Sequence, residues 1–226
     1  MAMTTATSMD RSTAMTTDAL TLVQWLSPAF PVGAFAYSHG LEAAVAEGWV
    51  ATSEDLEAWL SDVMHFGAGR VDSTLIAAAW RAAPDEIAGI DALARALAPS
   101  SERLLETTAQ GAAFGRVLAE VWGLAVTGLT LPVALGRAAG LQGLDLTLTQ
   151  TLYLQGVAGN LVAAGQRLMA LGQTDGQAIL KRLAPLCSTV AQDTGQGDLD
   201  GLSSSAFLSD IAAMRHETVE PRIFRT

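Results

Sequence analysis

Cysteine is nearly missing from this chain. Cys187 stands alone among 226 residues, so no intramolecular disulfide forms and a four-thiolate zinc site is excluded. A single cysteine fits a reducing, cytosolic compartment. Lysine is as scarce. Lys181 is the only one, in the helical run Leu180-Lys181-Arg182-Leu183, whereas a phosphate-cradling loop needs its lysine between a glycine and a Ser or Thr. That excludes a P-loop nucleotide hydrolase. Positive charge is short overall: 13 Lys and Arg face 23 Asp and Glu, a net charge of −10. A field of that sign repels phosphate backbones and argues against a nucleic-acid partner.

Catalytic and metal-binding patterns are absent too. His39, His65 and His216 lie far apart, and none has a second His at helical spacing. Ser203-Ser204-Ser205 is not flanked as a nucleophile elbow would be, since Ser205 stands where the second glycine belongs. Gly195, Gly197 and Gly201 miss the dinucleotide-binding spacing by one residue. Cys187 sits in apolar helical sequence, the setting of an inert thiol. The acid pairs Glu54-Asp55 and Asp85-Glu86 read as charges at helix starts. Nothing here marks an enzyme, and no resident metal or cofactor is expected.

The first residues, Met1 to Thr17, are mostly Met, Thr, Ala and Ser. They lack a secretory signal's basic and apolar regions and read as a mobile tail. Half of the chain is hydrophobic and the mean hydropathy is +0.31. The one stretch long enough to raise a membrane span is Val117 to Leu135, but Glu120, Gly123, Gly128 and Pro132 interrupt it. It reads as a helix, a break and a second helix inside a protein.

What is present is helical periodicity. Asp18 and Ser38 are candidate caps for the first two helices, the second closed by Gly48. Thr52-Ser53-Glu54-Asp55 is a capping box, followed by Leu56, Trp59, Leu60, Val63 and Met64 on one helix face. Asp72 and Pro84 are expected to open helices, Ser100 or Ser101 a longer one, and Thr174 to Gln177 forms a second capping box. Leu144 to Leu154 alternates like a strand, but no partner strand is visible, so a helix from about Thr147 is expected. Gly111 with Gly115, and Gly156 with Gly159, suit close helix contacts. The expectation is one all-α domain over 18–226, a bundle of about nine to eleven helices without a sheet.

Two stretches carry more than packing. Ser27 to Glu42 places Phe30, Phe35 and Tyr37 on a loop stiffened by Pro28, Pro31 and Gly33. It serves either to tuck aromatics into the core or to present them at low entropic cost. At the other end Pro221 stops a helix and leaves Ile223 and Phe224 between Arg222 and Arg225. An apolar pair flanked by guanidinium groups suits a partner's groove.

At these residues the sequence resembles the urease accessory protein UreF family. The segment with Pro31-Val32-Gly33-Ala34-Phe35 and Tyr37-Ser38-His39-Gly40-Leu41-Glu42 is similar to the family's first signature. Asp210-Ile211-Ala212, Met214-Arg215-His216-Glu217 and Arg222-Ile223-Phe224-Arg225 resemble its last. Leu131 to Ala134 and Gln173 to Gln177 are weaker matches. The Thr/Met-rich start and Thr226, where Ser is more usual, depart from the pattern. The resemblance runs from about Leu20 to the end. It implies an all-α chaperone that forms a homodimer, binds UreD (UreH), and recruits the GTPase UreG to apo-urease in the cytosol for nickel insertion. Nickel and GTP would be handled by the partners. A role in stimulating GTP hydrolysis would fall to Arg215, Arg222 or Arg225. The residues expected at partner contacts are Pro31, Phe35, Tyr37, Ser38, His39, Glu42, Arg215, His216, Glu217, Arg222, Phe224 and Arg225, with a partner-binding tail over about 219–226 in which Arg222 to Arg225 orders when a partner binds. The rival readings are a helical small-ligand protein with the Pro/Gly loop as a pocket rim, and a membrane-attached bundle.

Overall fold

The capping box at Thr52 begins the helix that organises the first half of the chain. In a computed structural model, which describes residues 17–226, the Thr52 hydroxyl accepts from Asp55 N–H at 3.1 Å. The Asp55 carboxylate returns the bond to Thr52 N–H at 3.0 Å. Two orphan donors of the helix end are satisfied at once. The five apolar residues picked out by spacing are the ones this helix buries.

Among the described residues every regular element is helical. Helix α1 covers 17–25. There follow α2 (Leu41–Ala46), α3 (Ser53–Phe66), α4 (Ala68–Arg81), α5 (Ile87–Ala96) and α6 (Ser101–Trp122). The second half holds α7 (Leu131–Gln142), α8 (Leu146–Leu168), α9 (Gln173–Thr194) and α10 (Phe207–His216). A single 3-10 turn, Ala34–Ala36, lies in the loop after α1. The tail expected over Met1 to Thr17 lies outside the described residues except for Thr17, which is already helical.

Helix α4 is the centre, and it packs most extensively against α7. The contact is backbone on backbone. A Cβ on Gly136 would stand 2.3 Å from the Ile76 carbonyl oxygen, and one on Gly140 would stand 2.5 Å from that of Trp80. Gly111 and Gly115 of α6 work the same way against the connection to α7, with Leu129 O at 2.1 Å and Val126 O at 2.8 Å. That connection is the expected break in Val117 to Leu135, beginning at Gly123 in left-handed conformation. No helix among the described residues is long and apolar enough to cross a membrane.

Several local expectations need correction. Within Leu144 to Leu154 the chain is helical from Leu146, one residue before the expected start, with Asp145 as the cap accepting from Leu148 N–H at 2.7 Å. Asp72 lies inside α4, because Gly67 alone turns the chain from α3 into α4. Pro84 stands in the turn before α5, and α9 starts at Gln173, so Thr174 caps nothing. Asp18 lies within α1. Gly40, not Ser38, precedes α2. Gly156 and Gly159 do not face a close neighbour: the nearest atom to a Cβ is 4.0 Å away at Gly156, and none lies within 4 Å at Gly159. Cys187 is fully buried, which pushes its thiol up to about 11, as an inert thiol requires.

The aromatic residues fasten the loop after α1 to α6. Trp25 meets Phe114 edge-on at 5.8 Å and Trp122 at 5.7 Å, and Phe30 lies 5.4 Å from Phe114. The loop therefore divides its aromatics: Phe30 and Tyr37 are buried, while Phe35 remains 72% exposed.

Gly111→Ala would press a methyl group into backbone and is expected to cost about 2–3 kcal/mol. Gly89→Ala, on the exposed side of α5 with nothing within 4 Å, should instead gain up to about 1 kcal/mol. Urea unfolding of the two variants beside the parent reads both signs.

Candidate functional site

Glu42 is in the first turn of α2 and almost fully buried. The chain enters that helix through two left-handed residues, His39 at φ 54 and Gly40 at φ 80. A Cβ on Gly40 would stand 2.5 Å from Ala213 N, so only glycine lets α10 lie across the start of α2. A non-glycine residue in this conformation is strained by about 1 kcal/mol. His39 is held there by a 2.9 Å bond between its Nε2 and Glu106.

The Glu42 carboxylate collects donors from the far end of the chain. Ile223 N–H donates at 2.7 Å, Phe224 N–H at 2.9 Å, and His216 Nε2 lies at 3.1 Å. Burial by itself would raise this carboxyl, but those donors together outweigh it and hold the group below its usual 4.5. On the other side of the buried imidazole, His216 Nδ1 stands 2.7 Å from Glu102, whose second oxygen accepts from Arg222 at 2.5 Å. Carboxylates only accept, so the arrangement is complete when both ring nitrogens donate.

A third carboxylate closes the structure. Glu106, four residues after Glu102 on α6, is 1% exposed. It accepts from Arg103, His39, Gln110 at 3.0 Å and the Thr226 hydroxyl at 2.8 Å. Burial raises it, yet Arg103 and His39 prevail and bring it to about 2.

Residues 223–226 lie beside the Phe35 loop. Arg225 N–H donates to Ala36 O at 2.9 Å, and Ser38 donates to the Thr226 main-chain oxygen from N–H at 2.8 Å and from its hydroxyl at 2.5 Å. Phe224 and Thr226 are buried, while Ile223 and Arg225 are exposed. Arg167 of α8 pins the joint from above, donating to Phe35 O at 2.9 Å with its guanidinium 4.3 Å from the Phe224 ring.

The residues singled out from sequence thus gather in one place, but they do different things. Ser38, Glu42, His216 and Phe224 are internal fasteners. Pro31, Phe35, Arg222 and Arg225 are exposed, Tyr37 is buried, and His39 lies between. Arg215 pairs with Glu47 at 3.0 Å over Trp49, and Glu217 accepts from Ser101 N–H at 2.9 Å at the α6 start. In the single chain the last residues already pack: Glu42 and Ser38 bond the backbone at Ile223, Phe224 and Thr226, and Phe224 is 3% exposed. Sequence inspection missed Glu102, Arg103, Glu106 and Arg167. Nothing in their local pattern separates them from ordinary helix charges. Among the described residues no group of three His, Cys, Asp or Glu is arranged to hold a metal ion.

Glu42→Gln leaves the three donors with a poorer acceptor and should cost about 3 kcal/mol. Limited proteolysis should then cut first in the C-terminal segment. Because Glu42 and Glu106 lie below the usual 4.5, their contribution is complete above about pH 4.5 and is lost as pH falls through their folded values. The urea midpoint followed across the acid range should drop in the parent, and drop less steeply in Glu42→Gln and Glu106→Gln.

With the geometry described, the relatives are informative. The family model described as UreF matches residues 50–184, the middle of the chain between the two end segments. The chain is 48% identical over 213 residues to the urease accessory protein UreF of Roseobacter denitrificans, covering 94% of this chain and 96% of that protein. To the protein of the same name in Ruegeria pomeroyi it is 51% identical over 208 residues, covering 92% and 96%. To that of Cereibacter sphaeroides it is 50% identical over 207 residues, covering 92% and 98%. The chain belongs to the UreF family of urease accessory proteins.

Proposed function

We propose that this chain is a non-enzymatic adaptor in urease maturation. As a cytoplasmic homodimer it acts with UreD (UreH) to recruit the GTPase UreG to apo-urease for GTP-dependent nickel insertion. Nickel and GTP belong to the partners, and this chain supplies a shaped surface. The observation that carries the proposal is the joint at Glu42. It fuses two segments, residues 27–42 and 210–226, into one rigid face. The face is preorganised, so binding loses little entropy.

The exposed side of the joint has the composition of an interface. Phe35 is 72% exposed and Ile223 59%, and Arg225 stands between them, its N–H on Ala36 O. Aromatic and arginine side chains dominate interface hot spots. The arginines are not equivalent. Arg215 is occupied by Glu47 and Trp49, and Arg222 by Glu102. Of these three, Arg225 alone has no ion pair among the described residues, so it is the one free to meet a partner, and any role in the partner's GTP hydrolysis falls to it.

The test is co-purification of the tagged chain with the UreD, UreG and urease subunits of the same genome, with GTP turnover measured in the assembled complex. Arg225→Ala should keep folding stability within about 0.5 kcal/mol, as a surface change does, keep UreD, and weaken UreG retention. Truncation after Pro221 should lose both partners, since it removes Phe224 from the joint. A truncated chain that kept both would overturn the proposal.

A further inference from the structure

Behind the Pro/Gly loop lies a cavity of about 660 Å³, bounded by α1, α4, α6, α7, α8, α9 and the loop itself. That is within the usual range of small-molecule sites. Its walls are mainly apolar, with Trp25, Phe30 and Phe114 on one side. Opposite them Gly156 and Gly159 leave room that side chains would have filled. Its polar end holds His39, Asp72, Arg103 and Glu106, with Tyr153 beside them.

The polar end is not internally balanced. Glu106 already accepts four hydrogen bonds, one of them from Arg103, so this pair is complete. Asp72 receives only the Tyr153 hydroxyl, at 2.7 Å, and no cation pairs with it among the described residues. Burial pushes its carboxyl up, against the pull of the more distant Arg103 and of Tyr153. His39 gives its Nε2 to Glu106, and its Nδ1 is buried with no partner among the described residues. The indole N–H of Trp25, another residue lining the cavity, is also buried without a partner, in a side chain 2% exposed. A buried polar group without a partner carries its full desolvation penalty, so such groups ask for an explanation.

These unmet groups specify a ligand. Asp72, a carboxylate that no cation pairs with among the described residues, beside a complete Arg103–Glu106 pair, calls for a cationic donor and repels an anion. The indole N–H calls for an acceptor atom, and the aromatic walls call for an apolar body. We propose that this cavity binds a small organic amine, its ammonium at Asp72, its apolar body against Phe30 and Phe114, and an ether or carbonyl oxygen on Trp25 Nε1. A bare metal ion would use none of the aromatic wall. The proposal rests on the cavity and not on the adaptor function.

The probes are para-methoxyphenethylamine and para-methoxyphenylpropionate, which share a body and differ in charge. The readout is the set of indole N–H signals from the five tryptophans in a ¹⁵N correlation spectrum, with Trp25 assigned by Trp25→Phe. The amine should shift the Trp25 signal saturably and the carboxylate should not. Asp72→Asn keeps an oxygen for Tyr153 and should weaken the amine at least tenfold. Gly159→Leu should fill the cavity and abolish the shift while leaving the melting temperature unchanged or higher. An amine that leaves Trp25 unmoved overturns the proposal. So does a carboxylate that binds as well, or an amine that binds Asp72→Asn or Gly159→Leu undiminished.

Discussion

A buried carboxylate must be surrounded by donors, and at Glu42 that requirement joins the two ends of the domain. Its donors are two backbone N–H groups and one imidazole nitrogen, all more than 170 residues later in the chain. The dependence runs both ways. Without residues 216–224 the carboxylate is uncompensated, and without Glu42 two backbone N–H groups and His216 lose their acceptor. Glu102 and Glu106 repeat the device on the neighbouring helix, so α2, α6, α10 and the last residues are tied by three acceptors in a row.

Such a network is not the cheapest way to hold a protein together. Removing charge from water has a large desolvation penalty, and apolar packing of the same volume is often as stable. What directional bonds supply is register. Donation from Ile223 and Phe224 to one carboxylate, and from Ser38 to Thr226, fixes which side chains of the last four residues point inward. A slip of one residue would expose Phe224 and bury Arg225. The exposed row of Phe35, Ile223 and Arg225 therefore exists because of the buried one.

Glycine plays opposite parts in this bundle. At Gly111, Gly115, Gly136 and Gly140 the missing side chain is replaced by a neighbouring backbone, that of the α6–α7 connection for the first two and of α4 for the others. At Gly156 and Gly159 nothing takes its place, and the space joins the cavity beneath the Phe30 loop. The same residue at similar spacing closes one interface and opens another. The difference lies in what the fold brings opposite.

The all-α class, the capped start of α3 with its buried face, the Ser100 start of α6 and the break after Trp122 were legible because each depends on neighbours within a turn or two. The two end segments were legible as unusual for the same reason: Pro, Gly, aromatics and Arg in short runs. Composition and local spacing decided those features, together with the exclusion of a P-loop and of disulfides. The tertiary structure alone decided that Glu42, His216 and Phe224 are fasteners, and that Glu102, Glu106 and Arg167 belong with them. It also decided which arginine is left free. Those outcomes depend on the dielectric around each group and on partners more than a hundred residues away, and neither quantity is written in a local pattern.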